Sequence, residues 1–260
     1  MMLENDNWRL MKIALLSDIH GNIQAFEACL AHARDQGTQQ FAILGDLVGY
    51  GADPAAVVKT AQALVAQGAL LIKGNHDAMA VAPPGLVRTV GETSAAWTHA
   101  QLDASQLRFL DDLPLMRQQD SILLVHASVD DPGLWRYVYD QRAASNSLDA
   151  AADLPEVRYV FGGHVHLQSL YCRDEGAGLL KLMPKPGLAM PVPRHLHWLA
   201  TIGSVGQPRD SNPQAMYALF DTNKLELTFQ RVSYDHAGAA AAIRKAGLPA
   251  FFADRLEQGR

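Results

Sequence analysis

The chain has 260 residues, 48% of them hydrophobic and 19% charged, which is enough apolar material for one substantial core and excludes a disordered chain. Its formal net charge is −5 and its lysines and arginines are scattered, which argues against stable nucleic-acid binding and against an anionic membrane surface. An anionic substrate would therefore need a local positive centre.

The N-terminus, MMLENDNWRLMK, lacks a basic region followed by an apolar one, and no run approaches the ~20 apolar residues of a membrane span. Residues 1–10 read as a frayed polar lead-in to a single domain over residues 11–260. Cys29 and Cys172 are far apart and lack a CxxC spacing, so neither a disulfide framework nor a thiolate metal site is expected. A soluble protein of the reduced cytoplasm fits best.

From residue 11 the chain alternates short apolar runs with amphipathic stretches: MKIALLS then NIQAFEACLAHARDQ, FAILG then DPAAVVKTAQALVAQ, and ALLIKG then a polar loop. Runs that are apolar throughout predict buried parallel strands joined by covering helices, the α/β pattern. Ile23, Phe26, Leu30 and Ala33 share one helical stripe that Asn22 or Gly21 can start, and Asp53 before Pro54 marks a second start. Residues 91–116 read as helical around Trp97 and through SQLRFLDDL, and DSILLVHAS and VRYVFGG as strands. Beyond them, Leu179 to Leu182, Leu196 to Ile202, MYALFD and LELTFQRV predict strands without long helices between them, an antiparallel addition. PKPGLAMPVPRH is too proline-rich for a central strand and reads as a loop.

Five strands end in polar clusters: Asp18-Ile19-His20-Gly21-Asn22, Asp46, Asn75-His76-Asp77, His126, and His164-Val165-His166. Loops at the carboxyl ends of parallel strands converge on one crevice. A single Asp, Gly-Asn or His has a plain reading as a turn, a cap or a satisfied polar residue, but turn residues alone have no reason to alternate carboxylate, imidazole and amide at successive strand ends. The ordered blocks DxH, GD, GNHD, a lone His and GHxH resemble the signature of the calcineurin-like metallophosphoesterases and run from residue 18 to residue 166. GNHD alone would arise by composition at on the order of one position in a few hundred thousand. Gly203-Ser204-Val205-Gly206-Gln207-Pro208-Arg209 also looks like the glycine-rich return loop of small bacterial members.

The resemblance implies a four-layer α-β-β-α sandwich with two mixed β-sheets and a dimetal site at the C-terminal ends of the strands. It assigns Asp18, His20 and His166 to one ion, Asn75, His126 and His164 to the other, and Asp46 to both. Carboxylate, imidazole and amide without thiolate suit Mn2+, Fe2+, Zn2+ or Ni2+, with Mn2+ favoured. Hydrolysis would proceed by attack of a hydroxide bridging the ions. His76 would stabilise or protonate the leaving oxygen, with Asp77 accepting its other N–H; a helix N-cap is the plainer reading of Asp77.

Asn22 and Arg209 are further candidates for gripping substrate, although a solvated side chain is the plainer reading of Arg209. Trp135, Tyr137 and Tyr139 would form either an aromatic wall for a nucleobase or a core stripe. Residues 80–116 and 130–155 are candidate cap elements, and Met183 to His197 reads as a loop near the cleft. The substrate class stays open among phosphate monoesters, diesters, nucleotide or dinucleoside polyphosphates and phosphoproteins, with small-molecule esters leading. A serine/threonine phosphoprotein phosphatase or a catalytically silent metal-binding scaffold are the alternatives, and a homo-oligomer is compatible with the sequence.

Overall fold

Two six-stranded mixed sheets lie face to face in the computed structural model, which describes residue 8 and residues 10–174 and 178–260. In chain order the first elements are β1 (Lys12–Leu16), α1 (Ile23–Asp35), β2 (Gln40–Ile43), α2 (Pro54–Ala66), β3 (Leu70–Leu71), α3 (Asn75–Val81), α4 (Val90–Gln101), α5 (Ala104–Asp111), β4 (Met116–Gln119) and β5 (Ile122–Val125). There follow α6 (Gln141–Ala152), β6 (Tyr159–Gly162), β7 (Gln168–Arg173), β8 (Leu179–Leu182), β9 (Ala189–Pro191), β10 (His197–Ile202), β11 (Ala215–Asp221), β12 (Glu226–Val232), α7 (His236–Lys245) and α8 (Ala250–Gln258). One sheet runs β3-β2-β1-β11-β12-β9 and the other β4-β5-β6-β10-β7-β8.

The expected four layers follow from alternation along each strand. Ala14 and Leu16 of β1 face Phe26, Leu30 and Val57 of the outer helices, while Ile13 and Leu15 face Phe161, Trp198 and Phe220 between the sheets. In the second sheet Tyr159 and Phe161 point inward and Val160 packs under α6 with Ala144 and Leu148. Both faces of these strands are buried, which is why the runs are apolar throughout instead of alternating.

β1–β2, β2–β3, β5–β6 and β6–β10 pair in parallel, so their carboxyl ends point the same way and bring the polar clusters to one edge of the sandwich. Of the four strands expected as an antiparallel addition, β8, β11 and β12 pair antiparallel, whereas β10 pairs in parallel with β6 on one side and antiparallel on the other with β7, a strand the sequence reading did not include.

Several expectations are corrected. The proline-rich segment expected as a loop contains β9, which pairs only with β12 at a sheet edge, where a missing N–H is tolerated. Two strands, β11 and β12, separate it from β1, and so it lies away from the cleft where the sequence reading had put it. The hairpin strand β4 and the helices α7 and α8 are additions. α6 and α4–α5 belong largely to the covering layers, so residues 80–116 and 130–155 are not caps as a whole. Residues 1–7 and 9 of the lead-in lie outside the described residues, but Trp8 is buried between the sheets and its main-chain oxygen accepts from Thr222. Among the described residues no helix is long and apolar enough to cross a membrane.

Candidate metal centre

Asp18, His20, Asp46, His164 and His166 all adopt left-handed backbone conformations, with φ of 55°, 51°, 54°, 66° and 57°. For residues with a Cβ this costs roughly 1–3 kcal/mol each and persists only where the surroundings impose it. The chain leaves each strand in a tight turn that aims the side chain back across the sheet edge. His164 and His166 therefore do not continue the pleat of β6, which ends at Gly162.

Each aspartate is held by one oxygen and offers the other. Asp18 Oδ2 accepts the His164 N–H at 2.9 Å, and Asp46 Oδ1 accepts the His76 N–H at 2.8 Å. Those amides can approach because a glycine precedes each turn: a Cβ on Gly163 would strike Asp18 Oδ2, and one on Gly74 would strike Asp46 Oδ1. Asp18 Oδ1 is left 3.1 Å from His166 Nε2 and 3.7 Å from His20 Nε2. Asp46 Oδ2 is left 3.3 Å from His126 Nε2 and 3.8 Å from His20 Nε2.

The histidines are oriented by main-chain carbonyls. His20 Nδ1 donates to Val48 O at 3.1 Å, His126 Nδ1 to Leu44 O at 2.7 Å and His166 Nδ1 to Gln207 O at 2.5 Å. A carbonyl only accepts, so these bonds place a proton on Nδ1 of each ring and leave Nε2 bare in the neutral rings of His20 and His166. The bare Nε2 atoms of His20 and His166 stand 3.0 Å apart, beside Asp18 Oδ1, which has no hydrogen-bond partner. His164 Nε2 is likewise buried and unpartnered, and Asn75 Oδ1 lies 3.2 Å from His126 Nε2. Lone pairs crowded this way in a buried site repel one another unless a cation lies among them. The groups Asp18–His20–His166 and Asp46–His126–His164 each bring their ligand atoms within 4.8 Å of one another, and this all-nitrogen-and-oxygen donor set fits divalent ions.

Charge reinforces the arrangement. Burial alone would raise the Asp18 and Asp46 carboxyls, but His166 beside the first and His126 and His76 beside the second hold both well below the usual carboxylate range. Burial lowers His20, His76 and His166, and with His126 it brings His164 down to about 4, so these rings are neutral near neutral pH. Burial works against the charged form of His126 too, yet Asp46 outweighs it and pushes this ring up to about 10.

The sequence profile of the calcineurin-like phosphoesterase superfamily domain matches residues 11–225. The chain belongs to this superfamily. An uncharacterized protein of Methanocaldococcus jannaschii is 31% identical over 254 residues, covering 95% of this chain and 98% of that one. The crystal structure of a metallophosphoesterase from Sphaerobacter thermophilus superposes with a TM-score of 0.83 at 32% identity, covering 96% of this chain and 99% of that one. A hypothetical protein from Pyrococcus horikoshii, at 19% identity and a TM-score of 0.75 over 96% and 98% of the two chains, shares the fold. As a calcineurin-like phosphoesterase the protein is a phosphoric ester hydrolase, and the superfamily implies divalent metal ions.

The structure of this phosphoesterase brings all seven expected ligands and His76 to one place and revises three neighbours. Asp77 does not orient His76: its carboxylate accepts main-chain N–H groups from Asp46, Leu47, Val48 and Gly74, and His76 Nδ1 has no partner. Asp77 thus straps α3 to the Asp46 turn, and burial with the nearby Asp46 charge pushes it up to about 7. Asn22 is not available to substrate, because it is buried, caps α1 through Ala25 N and donates to Gly206 O and Tyr234 Oη. The aromatic run is a wall and not a core stripe. Tyr137 and Tyr139 are exposed and stacked on each other, and Tyr137 stacks on His164 with centroids 4.0 Å apart. With Asn75, Ala78, Met79, Ala82 and Trp135 it lines an open cleft of about 450 Å³. Tyr50, which packs on His20 and His76 at 4.6 and 4.3 Å, was missed by sequence reasoning, although it follows the GD block by four residues.

Proposed function

We propose that the protein is a dinuclear metal-dependent phosphoesterase acting on small phosphate mono- or diesters, nucleotides included. Asp18, His20 and His166 hold one ion, Asn75, His126 and His164 the other, and Asp46 serves both. The observation that carries this reading is the position of Asp46 Oδ2 between His20 and His126, 3.8 and 3.3 Å from their Nε2 atoms. When bound, the two ions polarise the phosphate, lower the pKa of a water and stabilise the charge of the attacking and leaving oxygens. Mn2+ suits the mixed carboxylate, amide and imidazole set, though Zn2+, Fe2+ and Ni2+ share the preference.

The chain's own contributions are positional. His76 is buried beside His20 and Asp46 and is the candidate to donate to the leaving oxygen. Tyr137 and Trp135 offer an aromatic face at the mouth of the cleft, which supports esters bearing a flat group such as a nucleobase. Free, buried Cys29 and Cys172 support a reducing, cytoplasmic setting.

The test is to strip the protein of metal, reload it with Mn2+, Ni2+, Mg2+ or Zn2+, and assay phosphate mono- and diesters. Mn2+-dependent turnover is expected, and His76→Ala should retain its metal while losing about a hundredfold or more in kcat on a substrate with a poor leaving group. Wild-type rates in His76→Ala would remove its assigned role, and the absence of metal-dependent turnover on every ester would remove the reading as a whole.

A further inference from the structure

The superfamily profile ends at residue 225, and the last two helices lie beyond it. α8 nevertheless helps to build the wall of the site. Its Phe252 packs on Tyr50 with ring centroids 4.9 Å apart, and Tyr50 packs on His20 and His76. Three residues further on, one turn along the helix, Arg255 stacks its guanidinium over Phe251 at 4.5 Å and reaches Gln207 Oε1 at 3.4 Å. Arg209, on the return loop, reaches the same oxygen at 3.0 Å. Gln207 is buried, and its main-chain oxygen holds His166. Two guanidinium groups therefore converge on one neutral amide beside the Asp18–His20–His166 cluster.

The pair has no protein counter-ion. Among the described residues neither Arg209 nor Arg255 pairs with a carboxylate, although both are half-buried and share the oxygen of one buried amide, in a chain of net charge −5. Arg209 Nε is buried without a hydrogen-bond partner. The proximity of Arg209, following the cost of burial, depresses Arg255 as expected for like charges held together. Such a pair is compensated when an anion takes both guanidinium forks.

Charge balance points to an anion other than the phosphate under attack. Two divalent ions set against the carboxylates of Asp18 and Asp46 already balance one phosphate. The two guanidinium groups approach through Gln207, whose main-chain oxygen holds His166, while the aromatic cleft lies beside His164.

We propose that Arg209 and Arg255 form a two-guanidinium clamp for a second phosphate of the substrate, which fits the site to esters carrying a di- or polyphosphate chain. This rests on the two-ion reading of the neighbouring cluster and adds a specificity device of which one half, Arg255, lies beyond the residues that the family profile matches.

The test is calorimetric titration of α,β-methylene-ADP and of AMP into the Mn2+-loaded protein and into the metal-free protein. The wild type should prefer the diphosphate. Arg255→Gln should lose about tenfold of that preference, and Arg255→Lys, which keeps the charge, should retain most of it. Arg209→Gln should act like Arg255→Gln. Equal loss of affinity for both ligands in Arg255→Gln, or an unchanged preference in both Gln variants, would overturn the clamp. An arginine-dependent preference in a protein that turns over no ester would sustain the clamp while removing the catalytic reading.

Discussion

The flank of the site around Asp18, His20 and His166 is closed over by protein, whereas the flank around Asn75, His126 and His164 opens to solvent. On the closed side Asn22, Tyr50, Gly206, Gln207 and Leu256 leave a gap of only about 10 Å³ beside His20. On the open side Trp135 and Tyr137 border a cleft of about 450 Å³. The ligand types on the two flanks are nearly the same, so the difference lies in what surrounds them. Closure behind His20 fixes charge and geometry, with the half-exposed Arg209 and Arg255 at the rim of that flank, while the open cleft admits the bulkier part of a substrate. Asp46 Oδ2 touches both flanks, 3.8 Å from His20 Nε2 and 3.3 Å from His126 Nε2.

The first way to break this contrast is through protons. The closed-flank imidazoles are already neutral near neutral pH, whereas His126, pushed up to about 10 after Asp46 outweighs burial, carries a proton that metal must displace. Affinity for the ion on the open flank should therefore rise about tenfold per pH unit from pH 7 to about pH 9, roughly a hundredfold in all, while the closed-flank ion binds with little change. Metal titrations in buffers of different ionisation enthalpy would show one proton released with one of the two ions. No release with either ion would contradict the assignment of His126.

A smaller effect sharpens the contrast from the substrate side. Stacking of a base on an aromatic ring is worth about 1–3 kcal/mol, so Tyr137→Ala should raise KM for an adenosine-bearing ester about tenfold more than it raises the inhibition constant of inorganic phosphate. Equal shifts would mean that Tyr137 only supports His164, on which it stacks.

The gathering of the candidate ligands was legible in the sequence because their residue types are improbable at successive strand ends, and the parallel pairing that brings them together follows from uniformly apolar runs such as ALL and AIL. Their left-handed turns were not legible, since nothing in DIH or HVH separates a pleated exit from an αL one. The role of Asp77 was misread for a related reason: a carboxylate at the start of α3 serves main-chain donors on another loop, and that partnership exists only after β2 and β3 pair. α7 was missed because HAGAAAAIRK packs through small alanines, which give little periodic signal, and Arg255 was missed along with α8. Nor could one sequence decide whether Tyr137 faces core or cleft, because that depends on how residues 131–139 cross the end of the second sheet.

The proposed chemistry turns on two cations sharing Asp46. The most direct measurement is the metal content of the Mn2+-loaded protein, by elemental analysis and by anomalous scattering from crystals, in the wild type and in Asp46→Asn. Two ions per chain are expected in the wild type, one at Asp18, His20 and His166 and one at Asn75, His126 and His164, with both occupancies falling in the variant. A single ion in the wild type, or two ions undiminished in Asp46→Asn, would contradict the sharing of Asp46.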